Sequence, residues 1–529
     1  MRRNLLILVI VIFVLVTFIS GCKQDEEEDI QRREHIETNI CDSESTPIPQ
    51  APAFAGNNSK KTLDLLFEAE DASLEGLEKY TLANNNGMQA KSGIGYVGTW
   101  DTEGSRLIFH VEVPASGTYE LEFLTAACDD ESYNTVIVND RTFYEELHTR
   151  STEFESSTMK AKLQKGANVI TIVSGWGWIY MDCMHVRLSE GISPEVFDVE
   201  KTLTNKNASE NTRRLMSYLV DQYGEYTLSG QYNNDKGLGS PEIKELYKLT
   251  GKYPAIMGFD FVNYSPSRVE NGTESKQTEY AQQWHDMGGV VSFMWHWNAP
   301  KDLIDTEELP WWKGFYTEAT TFDLDKALSG TDPLGYEFIL RDIDVIAEQL
   351  KLLANKDIPV LWRPLHEASG GYFWWGAYGS ENYKTLWKLM YDRLTNTHGL
   401  NNLIWIFNGQ DPDWYPGDEY VDIIAEDVYT EPYDYESHYN RFYRALGYTD
   451  KNKMIGLAEN GEIPDPDLMY EDNACWLFFI TWNDEYIVDK KSKKITDKYN
   501  EFDHFIEVYH HDRVITLDEL PDLDLYPLE

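Results

Sequence analysis

Hydrophobic and polar positions change rhythm twice along the chain. Near the start the apolar residues run together. Between residues 65 and 190 they alternate with polar ones in short runs, and from about Thr212 short apolar runs are separated by stretches in which apolar positions recur every three or four residues. A period of two marks half-buried strands and a period near 3.6 marks helices. The alternating runs Leu107 to Val111, Tyr119 to Phe123, Val136 to Val138 and Val169 to Val173 have turn residues between them, and they predict an all-β sandwich over residues 62–195. Further on, eight strand candidates can be counted: Tyr226 to Gln231, Ala255 to Phe261, Val290 to Trp297, Ile358 to Leu365, Leu403 to Phe407, Ile423 to Tyr429, Met454 to Ala458 and Leu477 to Trp482. Helical runs lie between them, among them Glu242 to Leu249, Gly335 to Asn355, Asn382 to Leu394 and Tyr435 to Leu446. Strand and helix in alternation predict a closed (β/α)8 barrel over residues 196–515, with 516–529 as a C-terminal tail.

The first apolar run is not part of the fold. Met1-Arg2-Arg3 is a basic start, Leu5 to Ile19 an apolar stretch, and small residues precede Cys22, so residues 1–21 read as a signal peptide. Ile19-Ser20-Gly21-Cys22 resembles the lipobox of bacterial lipoproteins, which implies a lipid on Cys22 and an outer-membrane anchor facing the cell surface. An ordinary cleaved signal or a single anchor helix stays open, although about 15 apolar residues are short for a span. The acidic run Lys23 to Asp29 resembles the surface-export tag of Bacteroidetes lipoproteins, or is a plain solvated linker; it begins a tether over residues 22–61. Charge narrows the partners: 46 basic against 90 acidic residues leave −44. Such a balance argues against nucleic acid or an anionic lipid surface and favours a neutral partner. Of five cysteines, none forms a C-x-x-C pair, so neither a zinc site nor a disulfide framework is expected, while a Cys128–Cys183 bridge stays open. A monomer is expected.

Within the sandwich, Phe67-Glu68-Ala69-Glu70-Asp71, Gly93-Ile94-Gly95-Tyr96-Val97, Pro114 to Tyr119 and Trp176 to Asp182 occur in an order that resembles the carbohydrate-binding modules of family 35 and their family 6 relatives. The resemblance implies a structural calcium ion held by Glu68, Glu70 and Asp182, hard carboxylate oxygens suited to that ion. Trp176 or Trp178 could offer a sugar-stacking face, or both could lie in the core.

The candidate chemistry gathers where barrel strands end: His296 after the third, Arg363, His366 and Glu367 after the fourth, Asp427 and Tyr429 at the sixth, Glu459 after the seventh and Trp482 at the eighth. In such barrels strand ends carry the chemistry. Read alone, Arg363 and Glu367 could be a buried ion pair. Two glutamates facing each other across the mouth, however, are what glycoside hydrolysis requires, one to protonate the leaving oxygen and one to attack or to activate water. Thirteen of the 16 tryptophans follow residue 283, and Trp295, Trp297, Trp311, Trp312, Trp374, Trp375 and Trp482 are expected as sugar-stacking platforms at this rim.

Trp362-Arg363-Pro364-Leu365-His366-Glu367 with Phe373-Trp374-Trp375-Gly376, Trp295-His296-Trp297 and Ala458-Glu459-Asn460-Gly461 resemble glycoside hydrolase family 26 over about residues 210–515. The resemblance implies a retaining enzyme acting mostly on β-1,4-mannans, with Glu367 as acid/base and Glu459 as nucleophile. It places Arg363 and Tyr429 beside Glu459, has His366 touch the sugar or orient Glu367, and makes His296, Trp374, Trp375 and Trp482 substrate-binding residues; Asp427 carries over more weakly. No cofactor is expected for catalysis. Mixed-linkage β-glucan or β-1,3-xylan are the alternative substrates, because the long loop Ala299 to Leu334 that shapes distal subsites matches nothing fixed. A non-catalytic surface glycan-binding protein would keep the tryptophans but lose a carboxylate, and a metal-dependent hydrolase would need a third ligand beside His296 and His366.

Overall fold

The computed structural model describes residues 63–528 apart from 82–86, 101–103, 129–131, 140, 150 and 190. The leader, Cys22 and the tether therefore lie outside the described residues.

Among the described residues, eleven strands build the N-terminal sandwich: β1 (Asp64–Glu68), β2 (Ser73–Glu75), β3 (Glu78–Thr81), β4 (Gly95–Gly98), β5 (Arg106–Val113), β6 (Gly117–Ala127), β7 (Ser132–Val138), β8 (Arg141–Thr149), β9 (Glu155–Leu163), β10 (Gly166–Trp176) and β11 (Ile179–Leu188). One sheet runs β3-β4-β11-β6-β9 with β1 also on β11, and the other runs β2-β5-β10-β7-β8. Alternation fixes the register of each strand against the core. On β5, Leu107, Phe109, Val111 and Val113 point inward against Leu121 and Phe123 of β6 and Ile170 and Ile172 of β10. Cys128 and Cys183 are not joined by a disulfide. Cys183 pairs with Leu124, whereas Cys128 lies beyond the end of that ladder at Ile179–Ala127. About four residues along a strand, roughly 13 Å, keep the thiols apart.

After a short parallel strand, β12 (Thr227–Leu228), eight strands close a parallel barrel: β13 (Gly230–Tyr232), β14 (Ile256–Asp260), β15 (Val290–Met294), β16 (Val360–Arg363), β17 (Leu403–Phe407), β18 (Ile423–Val428), β19 (Met454–Asn460) and β20 (Phe479–Thr481). A final strand, β21 (Val514–Ile515), pairs with β12. Both faces of these strands are covered, β19 being buried from end to end, which is why they read as continuous apolar runs. Helix ends follow local chemistry. Ser240 caps Pro241–Thr250 by accepting from the Ile243 amide at 3.3 Å, and Gly251 ends it at φ 73°. Asp332 caps Pro333–Ala354 by accepting from Gly335 at 3.0 Å.

The fourth strand stops earlier than its apolar pattern suggests, at Arg363 and not Leu365. Pro364 has no N–H for the ladder, and Leu365 and Glu367 both sit at φ 52°, out of the extended region. Residues 516–528 of the C-terminal tail are held by local caps and by ring packing. Thr516 caps the turn Leu517–Glu519, and the Tyr526 ring packs edge-on against Tyr218 at 5.1 Å.

Sandwich and barrel meet along β9 and the helix Tyr439–Leu446. There the Asn440 side chain takes the place of a neighbouring strand: its Oδ1 accepts from the Lys160 amide and its Nδ2 donates to the Lys160 carbonyl, each at 2.7 Å. The Lys160 ammonium lies 5.0 Å from the Tyr443 ring, and Lys162 pairs with Asp472.

Candidate active site

The site is built around a buried guanidinium. Arg363, the last residue of β16, is fully buried, and its Nη1 and Nη2 each donate to Glu459 Oε2 at 3.2 Å. Nη2 also bonds Asp427 at the end of β18, Nε donates to Asn408 Oδ1 at 3.1 Å, and Nη1 donates to the Tyr232 hydroxyl at 3.2 Å. Burial opposes its charge, but Asp427, Tyr232 and Glu459 raise its pKa well above the usual value, so it stays a cation. Arg363 thus lies beside Glu459, where the family resemblance placed it, and pairs with Asp427 as well, not with Glu367: residue 363 ends its strand, whereas Glu367 lies beyond the turn.

Glu459, on β19, also accepts a hydrogen bond from the Tyr429 hydroxyl through Oε1. With Arg363 on the other oxygen, both oxygens are engaged by hydrogen-bond donors. Glu367 has different surroundings. Tyr372 donates to its Oε2 at 2.7 Å and Gln410 to its Oε1 at 3.4 Å, and no cation among the described residues bonds it. Burial, then the charge of Glu459, pushes the Glu367 pKa up. One oxygen from each of Glu367, Asp427 and Glu459 lies within 4.8 Å of the others. A retaining glycosidase holds its two carboxyls about 5–5.5 Å apart, while an inverting one needs roughly 6.5–9.5 Å to admit water between them. The observed closeness belongs to the first class.

The turn that presents Glu367 is strained. Non-glycine residues in the left-handed region cost about 1–2 kcal/mol each, and both neighbours of His366 adopt it. Three bonds hold the turn: the Trp375 indole donates to the His366 carbonyl at 2.9 Å, the Glu367 amide donates to the Asn408 carbonyl at 2.7 Å, and His366 Nε2 lies 3.2 Å from His296 Nε2. His296 in turn sits on Asp260, the last residue of β14, with Nδ1 2.7 Å from Oδ2.

Residues 204–519 match the profile of glycosyl hydrolase family 26, and residues 65–189 match carbohydrate binding module family 35. The chain belongs to glycosyl hydrolase family 26. It is 40% identical over 472 residues to a mannan endo-1,4-beta-mannosidase of Thermothelomyces thermophilus, covering 89% of this chain and 92% of that one. A mannan endo-1,4-beta-mannosidase B of Piromyces is 34% identical, with 88% and 78% covered. Among solved structures, a GH26-CBM35 β-(1,4)-mannanase of Podospora anserina aligns with a TM-score of 0.60 at 38% identity, covering 87% of this chain and 99% of that one.

Of the residues assigned to the family 26 site, Glu367, Glu459, Arg363, Tyr429 and His296 converge at one mouth, as does Trp482, whose ring lies 5.0 Å from Tyr232 and 6.0 Å from His296. His366 is only 1% exposed and contributes by orientation, not as an open sugar contact. Four stacking assignments need correction. Trp374 and Trp375 are 1% and 0% exposed, so neither is a stacking platform. Trp374 donates to the Trp297 carbonyl at 2.6 Å and Trp375 packs on Phe373, so both support the wall from behind. Trp295 and Trp297 are buried as well, the latter donating to Asp342 Oδ2 at 2.9 Å. On the long loop, Trp312 is 42% exposed and Trp311 half-buried.

Asp260, Asn408, Tyr372, Gln410 and Tyr232 were not singled out from the sequence. Asp260 and Asn408 follow the same rule as the others, a polar residue at a barrel strand end, and that rule could have found them.

In the sandwich, Glu68, Glu70 and Asp182 come together as expected. Asp182 Oδ2 accepts from the amides of Lys91 and Ser92, Glu70 Oε1 from those of Ile94 and Gly95, and Glu68 Oε1 from the Ser92 hydroxyl. Each carboxylate keeps one buried oxygen without a partner: Glu68 Oε2, Glu70 Oε2 and Asp182 Oδ1. A Cβ on Gly93 would lie 2.3 Å from Glu70 Oε1, so this loop must be glycine to close over the acids. Trp178 is 52% exposed; the side chain of Trp176 lies outside the described residues.

Proposed function

We propose that the protein is a retaining mannan endo-1,4-β-mannosidase that cleaves mannan, glucomannan or galactomannan by double displacement. What supports this most is the pair of Glu367 and Glu459, close enough for a covalent mechanism yet set in opposite electrostatic surroundings. Glu459, its oxygens held by Arg363 and Tyr429, attacks the anomeric carbon as Glu367 gives its proton to the leaving glycosidic oxygen. The sugar is then held as an ester on Glu459. Glu367, now a carboxylate, takes a proton from water, which attacks the same carbon and restores both groups. The names of the mannosidases at 40% and 34% identity favour mannan as the polymer.

The sandwich is read as a targeting module for the same wall polysaccharide. Its three bare carboxylate oxygens fit a calcium ion, which would be held by Glu68, Glu70 and Asp182 and would supply the positive charge that none of the bonds described to them provides. Burial, and then repulsion from Glu68 and Glu70, pushes the Asp182 pKa up to about 6. The pattern of residues 1–22 supports a lipid anchor on Cys22 and a place on the outside of a bacterial outer membrane.

Product analysis on mannan, glucomannan and lichenan at equal enzyme loading tests the substrate. Short manno-oligosaccharides from the first two, with slow or no release from lichenan, are expected. Faster cleavage of lichenan would replace the reading with a mixed-linkage glucanase.

A further inference from the structure

We propose that Asp260 is a positioning residue that sets the tautomers of two histidines in series and so holds the turn presenting Glu367. Counting hydrogens from one contact to the next fixes each ring. Asp260 accepts twice from His296, at Oδ1 from the backbone amide at 3.1 Å and at Oδ2 from ring Nδ1 at 2.7 Å. A carboxylate can only accept, so the His296 proton must sit on Nδ1. In the neutral ring that leaves His296 Nε2 as an acceptor, aimed at His366 Nε2 3.2 Å away. Two ring nitrogens at that distance need one proton between them, so His366 must carry its proton on Nε2.

The remaining nitrogen agrees. His366 Nδ1 is buried and has no partner. A bare lone pair is tolerated there, whereas an N–H would be a buried donor with nowhere to go, the more expensive defect. Burial, then the charge of Arg363, pushes the His366 pKa well below its usual value, so this ring is neutral. The His366 ring is therefore pinned from one side by a donor bond to His296, while its carbonyl is pinned by Trp375. Both flanking residues are in the left-handed region and need such pins.

Asp260→Asn inverts the logic without changing the shape. The oxygen of the introduced amide can still accept from the His296 backbone amide, but its NH2 now donates to Nδ1, which moves the proton to His296 Nε2. His366 must then accept at Nε2 and carry a proton on Nδ1, where nothing receives it. This deepens the acid/base reading of Glu367, yet the protons can be read without any assay.

The test uses the full-length chain labelled with 15N-histidine, in correlation spectra that separate protonated from bare ring nitrogens, with His296→Gln to assign the pair. In the wild-type protein, His296 should be protonated on Nδ1 and His366 on Nε2. Asp260→Asn should exchange both, with kcat down about 10- to 100-fold, as when the carboxylate behind a metal-bound histidine is lost, and KM changed far less. The opposite tautomers in the wild-type protein would overturn the proposal even if the variant did not fold. So would exchanged tautomers with unchanged kcat, or a loss of kcat with the tautomers intact. If Glu367→Ala proved fully active, the acid/base reading would fall while the tautomer result stood by itself.

Discussion

At Arg363 one guanidinium touches two carboxylates, Asp427 and Glu459, in a place where all three are almost wholly buried. Removing it leaves two unpaired buried acids, so Arg363→Met should cost about 3–5 kcal/mol of stability in urea unfolding as well as activity. Arg363→Lys should recover little, since a single ammonium cannot reproduce a fork that reaches Asn408, Tyr232 and both acids. The two glutamates should fail differently. Glu367→Ala and Glu459→Ala each remove an obligatory step, and azide should rescue an activated aryl glycoside with retained anomer in the first and inverted anomer in the second. Equal and unrescued loss in both would contradict their roles. For pH, the sign follows from Glu367. Its raised pKa keeps the acid form above the ordinary carboxylate range, so the basic limb of kcat/KM should appear as pH rises through it. Tyr372 donates to the Glu367 anion and lowers that pKa, so Tyr372→Phe should move the basic limb to higher pH. A downward shift would contradict the assignment.

At the scale of elements, the strand ends decide what could be read in advance. Eight apolar runs with helices between them made the barrel legible, and polar residues at the ends of β15, β16, β18 and β19 made the mouth legible. What escaped was the direction of large side chains after the strands. Phe373-Trp374-Trp375 follows a turn whose left-handed residues aim the chain, and no periodicity shows that the second and third of these rings turn inward. Asp260 escaped because its partner, His296, comes from the next strand and not from its own neighbourhood in sequence. The corrected roles have separate consequences. Trp375→Ala should destabilise by about 3–5 kcal/mol through the cavity it leaves. Trp312→Ala should change stability by no more than about 0.5 kcal/mol, while raising KM for long chains more than for short ones.

Across the whole molecule, the sandwich is joined to the barrel by more than a linker, since Asn440 pairs with the Lys160 backbone on both sides. Bound calcium should raise the melting temperature of the module by mass action, and chelation should lower it. Scanning calorimetry with and without a chelator checks this; an unchanged transition would count against Glu68, Glu70 and Asp182 as ligands. Deleting residues 62–195 should reduce activity on insoluble mannan more than on soluble oligosaccharides, and equal rates on insoluble mannan would remove the targeting role.

The proposed mechanism has Glu459 attack carbon while Glu367 delivers the proton, with one oxygen of each within 4.8 Å of the other, closer than the roughly 6.5–9.5 Å that an inverting mechanism needs. Proton NMR of the first products, recorded before mutarotation, tests this most directly. Double displacement predicts initial release of the β-anomer at the new reducing end, and initial release of the α-anomer would contradict it.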